Sequence, residues 1–367
     1  TRGGRLDDLR RYVNVPDDGD WHLIVAWMLF ALLPRGPFPL LLLAGRQGSG
    51  KSYMVCILRD LLDPSHAPLR CAPREPRDLA ITAKNSWLVV LDNASHIADW
   101  LSDGLCQLST GGGFATRELF SDDEEMIFTY KRPAIVTSIE DVATHADLLE
   151  RSLIVRLPAI PDDKRRDEAG LKAEFEKRRP ALLGALLDAA AATLHELPHV
   201  PHQPLLRMAD FTRFGIAAEI ALGWPAGSFL RAYRGNRDDT NRIALDDSIL
   251  PPVIEKLLDA ECGRWRGSAT ELLDRLKGIA DDATKANKEW PRKPQQLGNR
   301  LRRLAPNLQA EGVRVEFIRE AGTSNRSRTI TIQRTAPERG GEQPSEASDL
   351  DGLDGPDGWT PFDTNVT

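Results

Sequence analysis

The chain has 367 residues, 41% of them hydrophobic and 28% charged, with a formal net charge of −6, which suits a soluble protein with two or three cores. Its four cysteines, Cys56, Cys71, Cys106 and Cys262, form no CxxC pair; this argues against a zinc ribbon or a disulfide framework and predicts a reducing, cytoplasmic setting. The longest apolar stretch, Leu23 to Leu33, is too short to span a bilayer, and the polar, acidic first twenty residues do not read as a signal peptide, so no membrane partner is expected.

Residue 1 is Thr rather than Met, so a fragment or an excised domain is the expectation. Residues 1–38 read as a helical lead-in, with a helix from about Trp21, Asp20 as its N-cap and Pro34-Arg35-Gly36-Pro37 ending it. Residues 39–160 alternate short apolar strands with helical patterns, as expected of an α/β core. The expected strands are Leu40 to Ala44, Trp87 to Leu91, Ala134 to Ser138 and Ser152 to Leu157.

Between the first strand and a helix beginning near Tyr53 lies Gly45-Arg46-Gln47-Gly48-Ser49-Gly50-Lys51-Ser52. Strand, glycine-rich turn and helix in that order form a phosphate cradle, a P-loop. Side chains at Gly48 or Gly50 would obstruct backbone N–H groups that must point inward. Lys51 can reach the β- and γ-phosphates, and the Ser52 hydroxyl can join a Mg²⁺ shell. The expected nucleotide contacts are Gly45, Gln47, Gly48, Ser49, Gly50, Lys51, Ser52 and Tyr53. The strand Trp87 to Leu91 ends on Asp92, forty-one residues beyond Lys51. An acid there, at the carboxyl end of the sheet, can hold the Mg²⁺ water shell; otherwise it is an ordinary capping Asp.

Ala115 to Phe120 and Glu125 to Tyr130, flanking Ser121-Asp122-Asp123-Glu124, predict a β-hairpin inserted into the core. Residues 161–260 read as an all-α lid, in which Arg207 or Arg213 could sense nucleotide, with a plain surface role as the first expectation for each. His195-Glu196-Leu197-Pro198-His199 matches the HExxH zinc signature, but Pro198 is expected to end the helix near Leu197 and keep the imidazoles off one face, so no zinc is expected. In residues 264–334, sixteen Lys and Arg stand against eight acids, a balance of about +8. Helices near Ala269 to Ile279 and Gln295 to Leu304, then strands Val313 to Ile318 and Thr329 to Gln333, describe a winged-helix-like module. Arg300, Arg302 and Arg303 on its second helix would meet duplex DNA, and Arg326 and Arg328 would touch phosphates from the wing. The alternative is a solvated basic face docked on the core. Residues 335–367, with a balance of about −7, read as a disordered acidic tail.

Five segments together resemble ATPases of the AAA+ type, and more narrowly the superfamily 3-like helicase domain of phage and plasmid primase-helicase proteins. They are GRQGSGKS at 45–52, LVVLDNAS at 88–95, TGGGFATRELF at 110–120, KRPAIVTSIED at 131–141 and DLLERSLIVRLP at 147–158. The resemblance implies an AAA+ type P-loop core with the inserted hairpin, ATP and Mg²⁺ as cofactors, and a homo-oligomeric ring on DNA. Single-stranded DNA would pass Arg117, Lys131 or Arg132 in a central channel, with duplex DNA held by the winged helix. Thr137 or Ser138 would stand where the family's sensor strand usually carries Asn. Arg151 occupies the place of a finger inserted into the neighbouring subunit's site, or else pairs with Glu150 or Asp147. Asn93 replaces the Glu that polarises the attacking water in many relatives; an amide orients water but cannot accept its proton, which weakens hydrolysis. A DNA motor of a mobile element is therefore the leading expectation. An ATP-binding switch acting on DNA or a partner, for example in phage defence, is the second, and a regulator with a vestigial ATPase the third.

Overall fold

The computed structural model describes residues 3–111, 114–117, 125–128, 130–139, 146–201, 206–246, 248–319 and 328–335. After a 3-10 turn over Leu6–Tyr12, helix α1 spans Asp18–Ala31 and is apolar almost all round, the pattern of a buried helix. Its N-cap is Asp17, whose carboxylate accepts from the Asp20 amide. The acidic run begins the helix one turn earlier than expected, and Asp20 lies inside it.

Strand β1 (Leu40–Ala44) leads through the glycine loop to α2 (Lys51–Leu62). Then come α3 (Pro76–Asn85), β2 (Val89–Leu91), α4 (Asp99–Thr110), the strand pair β3 (Phe114–Arg117) and β4 (Glu125–Phe128), β5 (Ala134–Ser138), α5 (Ala146–Leu149) and β6 (Ser152–Arg156). Four strands form a parallel sheet in the order β2-β5-β1-β6, while β3 and β4 pair antiparallel with Phe114 opposite Phe128. The expected hairpin arms are thus paired over their described residues, and the turn between them lies outside those residues.

Continuous apolar strands signal burial on both faces, and successive side chains alternate between them. Leu41, Leu43, Val90, Ile135, Leu153 and Val155 face α1 and α2 together with α6 (Glu168–Glu196) and α7 (Ala209–Ala221). Leu40, Leu42, Val89, Leu91, Ala134, Val136 and Ile154 face α3, α4 and α5. The indoles of Trp27 and Trp87 donate to Pro39 O and Ala31 O, each at 2.7 Å, fixing α1 against the strand starts.

Helix α8 (Ser228–Asp246) lies against α1 and β6. A third core joins α9 (Leu250–Ala260), β7 (Arg264–Ser268), α10 (Ala269–Ile279), α12 (Pro294–Ala310), β8 (Val313–Arg319) and β9 (Arg328–Arg334), with the short α11 (Asp282–Ala286) between the last two helices. The sheet here is three-stranded, β7-β9-β8; β7 is an element the sequence pattern did not suggest. Helix α9, grouped by sequence with the preceding helices, buries Leu250, Ile254 and Leu257 in this C-terminal core. Among the described residues, no helix is long and apolar enough to cross a membrane. The wing loop with Arg326, and residues 336–367 including nearly all of the acidic tail, lie outside the described residues.

Candidate functional site

The glycine loop sits at the carboxyl end of β1 and opens directly into α2. Gly48 and Gly50 adopt φ of +81° and +80°, where a side chain would be strained. At Gly45 an added Cβ would lie 2.8 Å from both Leu157 O and Ser49 Oγ, so that glycine is required by close approach. Lys51 is the first residue of α2, and its ammonium curls back to donate to Arg46 O at 3.0 Å and to Gly45 O, with Ser49 Oγ at 3.4 Å. Burial lowers the Lys51 pKa, against the opposing pull of the Asp92 charge.

Asp92, just beyond β2, lies beneath the loop. Ser52 Oγ donates within 3.2 Å of both Asp92 carboxylate oxygens. Thr137, at the end of β5, donates to Asp92 Oδ1 at 2.6 Å and accepts from the Asn93 amide at 2.8 Å. The Asp92 amide itself donates to Arg70 O at 2.7 Å. Thr137 and Ser138 are both buried, and the Gly45 amide donates to Ser138 O at 3.2 Å. A hydroxyl and a carboxylate side by side under the glycine loop make an oxygen-donor set suited to a hard divalent cation. Asn93 is exposed and holds φ +60°, a left-handed conformation that Asn tolerates better than most residues.

Tyr53 is tucked behind the loop. Its hydroxyl is buried without a hydrogen-bond partner, and burial above all pushes its pKa up to about 12. Gln47 is exposed at the loop tip. Two residues passed over in the sequence also reach the loop. Asn14 donates to Ser49 O at 3.0 Å and to Pro158 O at 2.7 Å, and Arg165 crosses above Gly48. Neither carries a motif, and only the basic run Lys164-Arg165-Arg166 could have drawn attention to one of them.

Arg151 stands at the other end of the sheet. β6 pairs with β1 from Ser152↔Leu40 to Arg156↔Ala44, so Arg151 lies about 15 Å along the strand direction from the loop. Its guanidinium donates to Asp147 O at 2.7 Å and pairs with the Asp147 carboxylate, the partner expected of a plain ion pair, while its Nε is buried without a partner. Burial would raise the Asp147 pKa, but the Arg151 hydrogen bond and charge, aided by Cys106 and Arg207, hold it below its ordinary value. Arg207 pairs with Glu150 and, at 3.5 Å, with Asp147, and Arg213 donates to Leu197 O. Both are engaged away from the glycine loop of their own chain, in keeping with the surface reading of these positions.

The expected DNA contacts divide. The side chains of Arg117 and Arg328, and all of Arg326, lie outside what is described. Lys131 is exposed. Arg132 is not a free cation: it donates to Ala83 O and Ser86 O at 3.0 and 3.1 Å, and its guanidinium lies 5.0 Å from the ring centroids of both Trp87 and Tyr130. Arg300 faces Glu289 at 3.5 Å. Arg302 covers Phe317, and with Arg303 it lines a cleft of about 460 Å³ against Asp99, Asp103 and Asp147 of the core. Asn307 reinforces this junction by donating to Asn241 of α8 at 3.0 Å within the interior.

The HExxH segment also departs from expectation. Helix α6 does end at Glu196, but a 3-10 turn over Leu197–His199 continues its sense. The two imidazoles therefore stay together, with ring centroids 5.8 Å apart and ligand atoms within 4.8 Å of each other and of Glu196. Both rings are exposed.

No curated protein matches the chain. Solved structures similar to it include the apo NrS-1 C-terminal region, at 12% identity over 92% of this chain and 77% of that one with a TM-score of 0.43. Another is the SCCmec type IV Cch active helicase, at 12% identity over 86% and 67% with a TM-score of 0.42. The JCV helicase with a bound acetamide shows 14% identity over 62% and 67%, with a TM-score of 0.30. The model of the AICE RepA C-terminal domain matches residues 252–347, the stretch that contains nearly all of the third core. With residues 6–243, sheet and glycine loop included, matched by the model of its main domain, the chain belongs to the actinomycete integrative conjugative element replication proteins.

Proposed function

We propose that this replication protein is an ATP-dependent DNA motor, a helicase of its mobile element, that hydrolyses ATP between identical subunits. The observation that carries the nucleotide site is the placement of Ser52 Oγ within 3.2 Å of both Asp92 oxygens, directly under the Gly45 to Lys51 loop. A glycine-rich turn, a lysine and an adjacent hydroxyl–carboxylate pair suit a magnesium–nucleoside triphosphate. Mg²⁺ held by Ser52 and Asp92 would supply charge neutralisation for phosphoryl transfer. Lys51, which in this structure satisfies itself on loop oxygens, is the group that would exchange them for phosphate. Thr137 fixes the Asp92 carboxylate, so its place at the sensor strand reads as positioning.

Arg151 would serve a neighbouring subunit's site, since its own lies at the far end of the sheet, and Asp147 would hold it ready. The helices 161–246 would act as the lid and residues 250–334 as a winged-helix-like DNA module, with Lys131, Arg117 and the basic face of α12 as DNA contacts. Hydrolysis measured with and without single-stranded DNA tests the proposal. Turnover should rise with DNA and fall at least about 100-fold in Lys51→Ala and Asp92→Asn. Tight ATP binding with no turnover under any condition would overturn it. That outcome belongs to the second reading, an ATP-binding switch, which Asn93 favours because it supplies no carboxylate beside Asp92.

A further inference from the structure

We propose that Arg165 is a phosphate ligand of its own chain's glycine loop, reading the terminal phosphate of a bound nucleoside triphosphate. The inference rests on the nucleotide reading of that loop and adds a cation that no motif marks.

The chain leaving β6 turns back across the loop. The Leu157 amide donates to Ala44 O at 2.8 Å, and Asn14 bridges Pro158 O to Ser49 O. Farther along, Ile160 Cδ1 comes within 3.3 Å of where a Cβ on Gly50 would sit. Arg165 Nη2 then lies 3.2 Å from where a Cβ on Gly48 would sit. The space left by that missing side chain is the space the guanidinium approaches. Gly48 therefore serves two ends, since its φ of +81° also shapes the loop.

Arg165 is also available. Its ion pair is with Asp162 at 3.0 Å, three residues away, and both side chains are exposed, 57% and 90%. Such surface pairs are weak and exchange cheaply for a better anion, and a guanidinium matches phosphate oxygens in bidentate fashion. Its neighbour Arg166 is committed instead to Glu174 at 2.6 Å, which also accepts from Tyr12. Arg207 and Arg213 are held away from the loop, and Arg151 stands at the opposite end of the sheet.

The phosphate read under this proposal is the terminal one. The Lys51 ammonium rests on Gly45 O, Arg46 O and Ser49 Oγ, and a lysine at this place in the loop serves the β- and γ-phosphates. Gly48 lies on that same stretch, before the amino end of α2, and the cation above it is assigned to the γ-phosphate. Removing it should cost triphosphate binding while sparing diphosphate.

Equilibrium binding of a fluorescent non-hydrolysable ATP analogue and of ADP, each with Mg²⁺, tests this on the full chain. Arg165→Ala should weaken the triphosphate about tenfold or more and ADP by less than about threefold. Arg165→Lys should recover part of the difference, and the ligand-free melting temperature should not move. Arg166→Ala should leave the ratio of the two affinities unchanged. An unaltered ratio in Arg165→Ala, or equal losses for both nucleotides, overturns the proposal. Lys51→Ala separates this from failure of the parent reading. If wild type and Lys51→Ala bind nucleotide equally well, the loop is not the site and both readings fall. If Lys51→Ala loses both nucleotides while Arg165→Ala keeps the wild-type ratio, only the Arg165 role falls.

Discussion

At the scale of single residues, Asn93 changes meaning once its backbone is known. From sequence it is a missing carboxylate; in the structure it is also a residue at φ +60° whose amide is held by Thr137. A left-handed position penalises most side chains by about 1–2 kcal/mol, with Asn and Gly the least affected. Asn93→Glu, the direct attempt to restore a base, should therefore lower stability by about 1 kcal/mol, whereas Asn93→Gly should stay within about 0.5 kcal/mol of wild type. Urea midpoints of the two variants check this, and equal losses would show that the turn is not what constrains the position. Chemistry and conformation are thus confounded here, so any gain in hydrolysis by Asn93→Glu must be judged against folded protein.

At the scale of elements, close packing decides what pattern cannot. Gly215 in α7 faces α8 so closely that an added Cβ would fall 1.9 Å from the Phe229 ring. Phe229 in turn packs edge-on to Phe211 and stacks at a 29° tilt on Tyr233 in the same buried layer. Gly215→Ala should destabilise by about 1–3 kcal/mol through overpacking, although Ala is the better helix former. A thermal melt that moved upward would contradict it. The same two helices are tied at their turn by Glu219, whose buried carboxylate accepts from the Gly227 and Phe229 amides at 2.7 and 2.8 Å. Nothing in the local sequence distinguishes this glutamate from the many exposed ones. The four parallel strands, by contrast, were legible within one or two residues, because each is a short apolar run buried on both faces. Strand β7 was missed because Arg264-Trp265-Arg266-Gly267-Ser268 is half polar and acquires its partner, β9, some seventy residues later.

At the scale of the whole molecule, Arg151 and the glycine loop stand at opposite ends of one sheet, so the proposed role of Arg151 requires a second subunit. Arg151→Ala should lower turnover by about 10³-fold while leaving nucleotide affinity within about threefold. Mixing Arg151→Ala with Lys51→Ala protein should restore part of the activity, since each supplies what the other lacks. A mixture as inactive as its components would place Arg151 in a purely structural role, consistent with its Asp147 pair. The C-terminal core is held against α8 and the acidic cleft, so the arginines of α12 are shared between two surfaces. Arg302 and Arg303 remain exposed while lining the cleft opposite Asp99, Asp103 and Asp147, so this basic face is compatible with both the DNA-contact and the core-docked readings.

The sequence by itself determined the glycine loop, the apolar strands, the acid after β2 and the basic balance of residues 264–334. These are local properties: backbone permissiveness, alternation, and charge along a few residues. Tertiary structure alone decided which side chains meet. It brought Ser52, Asp92 and Thr137 together from three separate segments, laid Arg165 over Gly48, and drew Arg132 into a pocket between Trp87 and Tyr130. It also kept His195 and His199 adjacent across a proline, because a 3-10 turn preserves the helical sense that the proline was expected to break. Such encounters depend on the crossing of elements distant in the chain, and no local pattern encodes the distance between them.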